Sequence, residues 1–305
     1  MTVAEAIARG RDALVAAGVP ADEVPGDAEV LARHALGWDL ARLATSLRDA
    51  ASHDFQDRYD ELIARRSRRE PVSQIAGHRE FWGLEFEVTP DVLTPRPETE
   101  LAVQAALDVC RSAAESDVPL PRDPPVIVDV GTGSGCIAIA LATELPNAMF
   151  IASDASLAAL TVARRNAARH GVSRRIAFLH TTVIPPATDC EILVSNPPYI
   201  PSRDRAALPP EVREYEPALA LFGGEDGLDA YRELFTNARG ELRENGRMIV
   251  EVGYDQATAV RALADPDHWL FERSHHDLQG IERVLTFRVL GQSADVEDEG
   301  RDEQL

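Results

Sequence analysis

The segment ILVSNPPYI, at residues 192–200, places a carboxamide, two prolines and an aromatic ring directly after an apolar strand pattern. Proline fixes its own φ and pushes the preceding residue out of the helical region, so we expect Asn196 to be held extended in a stiff loop. Because proline has no N–H group, the Asn196 side-chain oxygen and the Pro197 carbonyl are free to accept hydrogen bonds from an incoming NH2 group, with Tyr199 as a flat face beside them. Such a corner suits a planar amide or an exocyclic amine.

A second segment, VIVDVGTGSGCIAIAL at residues 126–141, places three glycines between a buried strand pattern and an apolar helix pattern. Without side chains, Gly131, Gly133 and Gly135 let backbone N–H groups approach a ligand closely. Asp154 ends the next strand pattern, about where a carboxylate meets ribose hydroxyls in nucleotide-binding folds. We therefore expect a cofactor that carries ribose.

The spacing of these glycines narrows the kind of cofactor. The three glycines are each two residues apart, and Asp129 precedes the first, so the segment does not follow GxGxxG. It resembles the DxGxGxG motif of S-adenosylmethionine methyltransferases, and NAD is the lesser alternative. Both segments also have plain structural alternatives: a strand that ends in a proline turn, and a tight strand-to-helix turn.

The elements that would position these two loops alternate between strand and helix patterns. Strand patterns cover residues 126–130, 149–153, 176–180, 191–195 and 247–252, with helix patterns between them, and two apolar stretches at 269–273 and 283–290 close the chain. Such alternation predicts a parallel, doubly wound α/β sheet, to which a closing hairpin would add an antiparallel strand.

Patterns before this sheet predict smaller units. Helical periodicity with a capping box at Thr2 and Glu5 predicts an N-terminal helical domain, and an aromatic-rich stretch predicts a β-hairpin after it. We divide the chain into a helical substrate-recognition domain at 1–72, a hairpin linker at 73–95, a catalytic domain at 96–291 and an acidic disordered tail at 292–305.

Composition excludes several function classes. The 305 residues carry a net charge of -20, with 45% hydrophobic and 27% charged residues, which argues against broad binding to nucleic acid. All basic residues other than histidine are arginines, so a lysine Schiff base is excluded. Three widely spaced cysteines suggest neither a disulfide framework nor a zinc site. Without a membrane-span or signal pattern, we expect a cytoplasmic protein.

Three further segments point to one family. LTPRPETE at residues 93–100, the preceding REPVSQIAGHREFWGLEF, and EYEPALALFGGEDGLDAY at residues 214–231 closely resemble the HemK/PrmC family, the peptide-chain release-factor glutamine N5-methyltransferases. The resemblance covers roughly residues 65–290 and implies a Rossmann-like fold with a mostly parallel seven-stranded sheet. It implies methyl transfer from S-adenosylmethionine, with S-adenosylhomocysteine as the product, to the side-chain amide of the glutamine in the GGQ motif of class 1 release factors.

The same resemblance implies roles for individual residues. The glycine loop and the acidic residue at the next strand end would hold the cofactor, with one contact near its adenine. The cofactor-binding residues are Gly131, Thr132, Gly133, Ser134, Gly135, Asp154, Val183 and Asn196. Catalysis and glutamine binding fall to Asn196, Pro197, Pro198 and Tyr199, with Arg96 and Glu98 in the pocket wall. The family often has an acid and an aromatic residue after the third strand, whereas Thr182 and Val183 stand there. No metal is required.

Several alternatives stay open at this point. An N6-adenine or N2-guanine nucleic-acid methyltransferase also binds a planar amine, although its usual basic surface is missing here. A non-catalytic module that keeps the fold as a scaffold is the second alternative. Glu98 and Glu100 also suit the first turn of the following helix, and Glu216 with Gly223, Gly224 and Gly227 forms either a lid or a turn-rich connection. We expect a monomer that acts on a protein partner.

Overall fold

The computed structural model describes residues 1–114, 120–182, 184–185 and 189–291. Pro119, Val183 and the acidic tail at 292–305 lie outside these residues. Among the residues that the structure describes, no helix has the length and apolar character needed to cross a membrane.

Five helices form the N-terminal part of the molecule. They are α1 (Val3–Ala16), α2 (Val24–Leu36), α3 (Leu40–Ser46), α4 (His53–Ser67) and α5 (Val72–Ala76). The predicted capping box is confirmed, because Glu5 N–H donates to Thr2 Oγ1 and Thr2 N–H donates to the Glu5 carboxylate at 2.7 Å. α1, α2 and α4 pack around a common apolar core in which the Tyr59 hydroxyl donates to the Ala28 carbonyl at 3.0 Å. Gly10 lets α1 pass directly over the Tyr59 ring.

A two-stranded hairpin follows, in the segment where the sequence predicts one. β1 (His78–Phe81) pairs antiparallel with β2 (Leu84–Glu87). The two turn residues, Trp82 and Gly83, have φ of 55° and 68°, the left-handed conformation that a two-residue hairpin turn requires. The Glu100 carboxylate accepts the Trp82 backbone N–H at 2.8 Å, which ties the hairpin to the next helix.

The rest of the chain builds one seven-stranded sheet. Its strands are β3 (Val126–Val130), β4 (Met149–Asp154), β5 (Ile176–His180), β6 (Cys190–Ser195), β7 (Leu242–Glu251), β8 (Trp269–His276) and β9 (Glu282–Val289). The order across the sheet is β5-β4-β3-β6-β7-β9-β8, and β9 runs antiparallel to both of its neighbours. The predicted fold class is therefore confirmed, including the antiparallel strand contributed by the closing hairpin.

Helices cover both faces of this sheet. The helices that do so are α6 (Glu100–Ala114), α7 (Cys136–Glu144), α8 (Leu157–Arg169), α11 (Asp229–Glu241) and α12 (Ala257–Leu263). Two shorter helices, α9 (Pro210–Tyr215) and α10 (Ala218–Leu221), lie in the connection between β6 and α11. Side chains of β3 alternate between the two layers, because Ile127 joins the core under α6 and α7 while Val128 joins the core under α11 and α12. Burial on both faces explains the unbroken apolar run of this strand.

The strand order reverses between β3 and β6. β4 and β5 lie on one side of β3, whereas β6 and β7 lie on the other, and all five are parallel. In open α/β sheets, ligands bind outside the carboxyl ends of the strands at such a switch point. The glycine loop after β3 and the proline loop after β6 both begin at this edge.

A buried arginine connects the N-terminal helices to the sheet domain. The Arg66 guanidinium in α4 is almost fully buried, with 2% of its side chain exposed, and donates to Asp27 at 2.6 Å and to Glu211 of α9 at 2.8 Å. Arg69 also binds Glu211, at 2.6 Å. Gln74 adds a hydrogen bond to the Tyr215 carbonyl at 3.0 Å, so α9 is held by the helical domain at both of its ends.

Candidate active site

The glycine loop has the backbone conformation that its composition predicts. Gly131, Gly133 and Gly135 have φ of 73°, 55° and 84°, in the left-handed region that other residues avoid. Gly131 N–H and Thr132 N–H both donate to the Ser153 carbonyl at 2.9 Å, which fixes the loop against β4. Gly131 is exposed and Gly133 partly so, and their bare backbones form the open side of the loop.

Thr132 and Ser134 face the opposite way, since both side chains are buried. The Thr132 hydroxyl donates to the Asp129 carboxylate at 2.6 Å, and the Ser134 carbonyl accepts from Asn166 at 2.9 Å. Burial raises the pKa of Asp129 to about 7, although the bonds from Thr132 and from the Ala138 N–H oppose that rise. The Thr132 side chain and the Ser134 carbonyl thus hold the shape of the loop, and the atoms left to meet a ligand are backbone atoms.

Asp154 closes the other side of the glycine loop. Its Oδ2 accepts the Gly133 N–H at 2.9 Å and its Oδ1 accepts the Ser156 N–H at 2.8 Å. Each carboxylate oxygen can accept two hydrogen bonds, so one place on each oxygen is left for ribose hydroxyls. The donor set therefore fits a ribose-bearing cofactor. Thr182 is an exposed residue beyond β5.

The proline loop lies against this glycine loop. The Ser195 hydroxyl donates to the Val130 carbonyl at 2.8 Å, joining the last residues of β6 and β3. The Asn196 carbonyl oxygen lies 4.0 Å from the position that a Cβ on Gly131 would take. The carboxamide-and-proline corner and the glycine-lined side of the loop are thus direct neighbours.

Asn196 is held at one end and open at the other. Its Nδ2 donates to the Thr99 hydroxyl at 3.0 Å. Within the described part of the chain, no group donates a hydrogen bond to Asn196 Oδ1 or to the Pro197 carbonyl. Two hydrogen-bond acceptors at the corner therefore have no donor among the described residues.

Tyr199 is anchored through its backbone. Gln256 Nε2 donates to the Tyr199 carbonyl at 2.9 Å, while the Gly253 N–H donates to Gln256 Oε1 at 3.2 Å. Burial raises the pKa of the Tyr199 hydroxyl to about 12, and Glu251 raises it further, whereas Arg96 and Arg283 lower it. The phenol is therefore neutral and sits among charged groups of three different elements.

The structure shows which groups surround Arg96 and Glu98 in the segment LTPRPETE. Arg96 donates to Glu216 at 2.6 Å, and only 2% of the Glu216 side chain is exposed. Burial raises the pKa of Glu216, against the opposing effect of Arg96. Glu98 is half-buried and near enough to Tyr199 and Glu251 to act on the pKa of both. Arg96 and Glu98 thus lie beside the corner.

The glycines of the later segment pack against the backbone of the proline loop. A Cβ on Gly223 would lie 2.4 Å from the Pro198 carbonyl oxygen, and one on Gly227 would lie 2.3 Å from the Tyr199 carbonyl oxygen. Ile200 N–H donates to the Leu221 carbonyl at 2.9 Å, and the Ile200 carbonyl accepts from Gly223 N–H at 3.0 Å. The segment therefore supports the loop from beneath, as a turn-rich connection does.

Three residues at this site escaped the sequence analysis: Thr99, Glu251 and Gln256. Glu251 ends β7 and is 3% exposed, and burial raises its pKa to about 7, opposed by hydrogen bonds from Thr99 and Asn196. A charged residue at the end of an apolar strand pattern, as at the ends of β3 and β4, is the signal that could have identified Glu251. Neither Thr99 nor Gln256 carries such a signal.

Comparison with known proteins identifies the family. The model of the PrmC N-terminal domain matches residues 5–77, and that of the methyltransferase small domain matches residues 119–208. A release factor glutamine methyltransferase of Cereibacter sphaeroides is 41% identical over 95% of this chain and 99% of its own length. One of Burkholderia pseudomallei is 42% identical over 87% of this chain and 92% of its own. The chain belongs to the release factor glutamine methyltransferase family.

Membership of this family confirms the resemblance that the sequence motifs indicated. A solved structure supports the fold: the catalytic domain of hMettl16, in a complex with the MAT2A 3′UTR hairpin 6, superposes with a TM-score of 0.53 at 16% identity over 74% of this chain and 81% of that one.

Proposed function

We propose that this protein transfers a methyl group from S-adenosylmethionine to the side-chain amide nitrogen of the glutamine in the GGQ motif of class 1 release factors. The family supports this activity, since the relatives that match nearly the whole chain are release factor glutamine methyltransferases. The observation that carries it is the pair of acceptors, Asn196 Oδ1 and the Pro197 carbonyl, that receive no hydrogen bond from the described residues and lie beside the glycine loop.

The corner would act by orientation. An amide nitrogen is a poor nucleophile because its lone pair is delocalised into its own carbonyl. Asn196 Oδ1 and the Pro197 carbonyl would each accept one amide hydrogen, which fixes the plane of the substrate amide and directs its nitrogen toward the glycine loop. Both acceptors also carry negative partial charge that stabilises the positive charge developing on that nitrogen. Tyr199 would cover one face of the amide, and Pro198 keeps the loop stiff.

The cofactor would be held by backbone atoms of residues 131–135 and by the Asp154 carboxylate, which keeps acceptor capacity on both oxygens. When bound, S-adenosylmethionine supplies an electrophilic methyl group. Asn196 contacts both sites, because its backbone carbonyl borders Gly131 while its side chain receives the substrate. Once methylated, the positively charged nitrogen would release one of its two hydrogens as a proton to water, past the acceptor that holds it, so a dedicated strong base is not part of this proposal.

The proposal extends to organisation and partner. The helical domain at 1–72 would recognise the release factor, with the hairpin at 73–95 as its link to a catalytic domain at 96–291. The enzyme would act as a monomer in the cytoplasm, where translation termination takes place. Direct binding of nucleic acid is not expected from a chain with a net charge of -20.

A nucleic-acid methyltransferase is the less favoured alternative, and one experiment separates the two. Purified enzyme with radioactive S-adenosylmethionine is incubated with a class 1 release factor, with the same factor carrying alanine in place of the GGQ glutamine, and with DNA. We expect label on the first protein alone, and peptide mapping should place the methyl group on the GGQ glutamine. Label on DNA, or equal label on both release factors, would refute the proposal.

A further inference from the structure

The side of Asn196 that faces away from the substrate contacts two buried polar residues whose role in this site is unassigned. Thr99 is 2% exposed and lies in the single helical turn of residues 97–99, directly before α6. Glu251 is 3% exposed and ends β7, next to β6 in the sheet. These two residues are 152 positions apart in the chain and meet only because their elements converge behind the corner.

The hydrogen bonds of these groups define a direction. Asn196 Nδ2 donates one hydrogen to Thr99 Oγ1 at 3.0 Å. The Thr99 hydroxyl, which has a single hydrogen, is then free to donate it toward the Glu251 carboxyl, which lies near enough for Thr99 and Asn196 to lower its pKa. The amide nitrogen of Asn196 is thereby turned toward the protein interior.

A carboxamide with its nitrogen bound on one side presents its oxygen on the other. A flipped Asn196 would direct an NH2 group at the NH2 group of the substrate, and two donors cannot pair. A flip would also place Oδ1 against Thr99 Oγ1, so that the single Thr99 hydroxyl hydrogen would be drawn to Oδ1 and away from the Glu251 carboxyl, which already has one oxygen without a partner. Buried polar groups without partners are costly, so the flip is disfavoured on both sides.

We propose that Thr99 and Glu251 are positioning residues that fix the side-chain orientation of Asn196, with Thr99 as the acceptor for its amide nitrogen and Glu251 as the acceptor for the Thr99 hydroxyl. The inference rests on the proposed function, in which Asn196 Oδ1 receives the substrate amide. It gives the orientation of Asn196 a physical cause: two residues placed behind the corner decide which atom of Asn196 the substrate meets.

Kinetics of matched variants test this role. Thr99→Val keeps the shape of the side chain but removes the hydroxyl, and we expect kcat to fall roughly 10- to 100-fold while the KM for S-adenosylmethionine stays within about twofold. Thr99→Ser restores the hydroxyl and should recover most of that loss. Thr236→Val, the same exchange at an exposed helical position, should leave kcat unchanged.

A double-mutant cycle separates positioning from a general structural effect. If Thr99 acts through Asn196, Thr99→Val has no further effect on kcat in an Asn196→Ala enzyme. Likewise, Glu251→Leu lowers kcat in the wild-type background but adds little once Thr99 is valine. Additive losses in either cycle, or a full rate for Thr99→Val, would overturn the inference.

A spectroscopic measurement decides the point without reference to activity. The side-chain amide resonances of Asn196 are assigned in 15N-labelled protein by their absence from Asn196→Ala. We expect Thr99→Val to shift them strongly and Thr99→Ser to leave them close to the wild-type positions. Unchanged resonances in Thr99→Val would refute the orientation, whereas a wild-type enzyme that fails to methylate a release factor refutes the proposed function alone.

Discussion

The buried carboxyl of Glu251 makes a quantitative prediction for the pH dependence of stability. Burial raises its pKa from 4.5 to about 7 in the folded chain. Between these two values the folded protein keeps a proton that the unfolded chain has lost, so the free energy of unfolding falls as pH rises. The stabilising contribution is complete below about pH 4.5 and is lost as pH passes through about 7.

The size of this effect follows from the shift. Each pKa unit corresponds to about 1.4 kcal/mol, so the rise of Glu251 represents on the order of 3 kcal/mol. Glu251→Gln removes the ionisation and keeps the shape. We expect the variant to match the wild type near pH 5, where both side chains are uncharged, and to exceed it by up to about 3 kcal/mol at pH 8. Asp129, whose pKa is also raised to about 7, keeps a decline with pH in both proteins.

The assay is urea unfolding at pH 5, 6, 7 and 8, followed by circular dichroism, with the wild type and Glu251→Gln compared at each pH. The same exchange at Glu233, an exposed residue of α11, measures the background of removing one carboxylate. Parallel curves for Glu251→Gln and wild type would refute this account of the buried carboxyl, as would a variant that loses stability relative to wild type while pH rises.

Three further predictions concern the corner, its support and the domain junction. Asn196→Ala removes a hydrogen-bond acceptor for the substrate and should lower kcat by about 100-fold or more in a methyl-transfer assay. Cofactor affinity, measured by calorimetry, should change much less. An unchanged rate at saturating substrates would contradict the proposed role of Asn196. Gly223→Ala forces a Cβ to 2.4 Å from the Pro198 carbonyl oxygen and should reduce both kcat and thermal stability. Gly240→Ala, with open space around it in α11, should be neutral or stabilising. Equal effects of the two exchanges would argue against the close contact at Gly223. Arg66→Met leaves the partly buried Asp27 carboxylate without its arginine partner and leaves Glu211 with Arg69 alone, and it should cost about 3 kcal/mol in urea unfolding; a loss below about 1 kcal/mol would show that the junction is held by other contacts.

Local sequence patterns were enough for the elements and for the two loops. The apolar run of β3 ends at three glycines, and left-handed φ at those positions follows from residue type alone. The position of Asn196 after β6 was equally local, because proline restricts the residue before it. The glycine loop and the proline loop could be predicted to lie side by side, because both follow parallel strands whose carboxyl ends share one edge of the sheet.

Contacts made over long separations could not be predicted in this way. Thr99 lies 97 residues before Asn196, and its hydrogen bond depends on where the turn at 97–99 meets the sheet. Gln256 reaches Tyr199 across 57 residues. Composition alone allowed Gly223 and Gly227 to belong either to a lid or to a turn-rich connection. Their close approach to the carbonyls of the proline loop decides for the connection.

The most direct test of the central claim is a crystal structure of this protein with S-adenosylhomocysteine and a release-factor peptide that contains the GGQ motif. We expect the glutamine amide nitrogen within hydrogen-bond distance of both Asn196 Oδ1 and the Pro197 carbonyl, facing a sulfur atom held at the glycine loop. A glutamine bound away from these two acceptors, or a sulfur on the far side of the loop, would contradict the account.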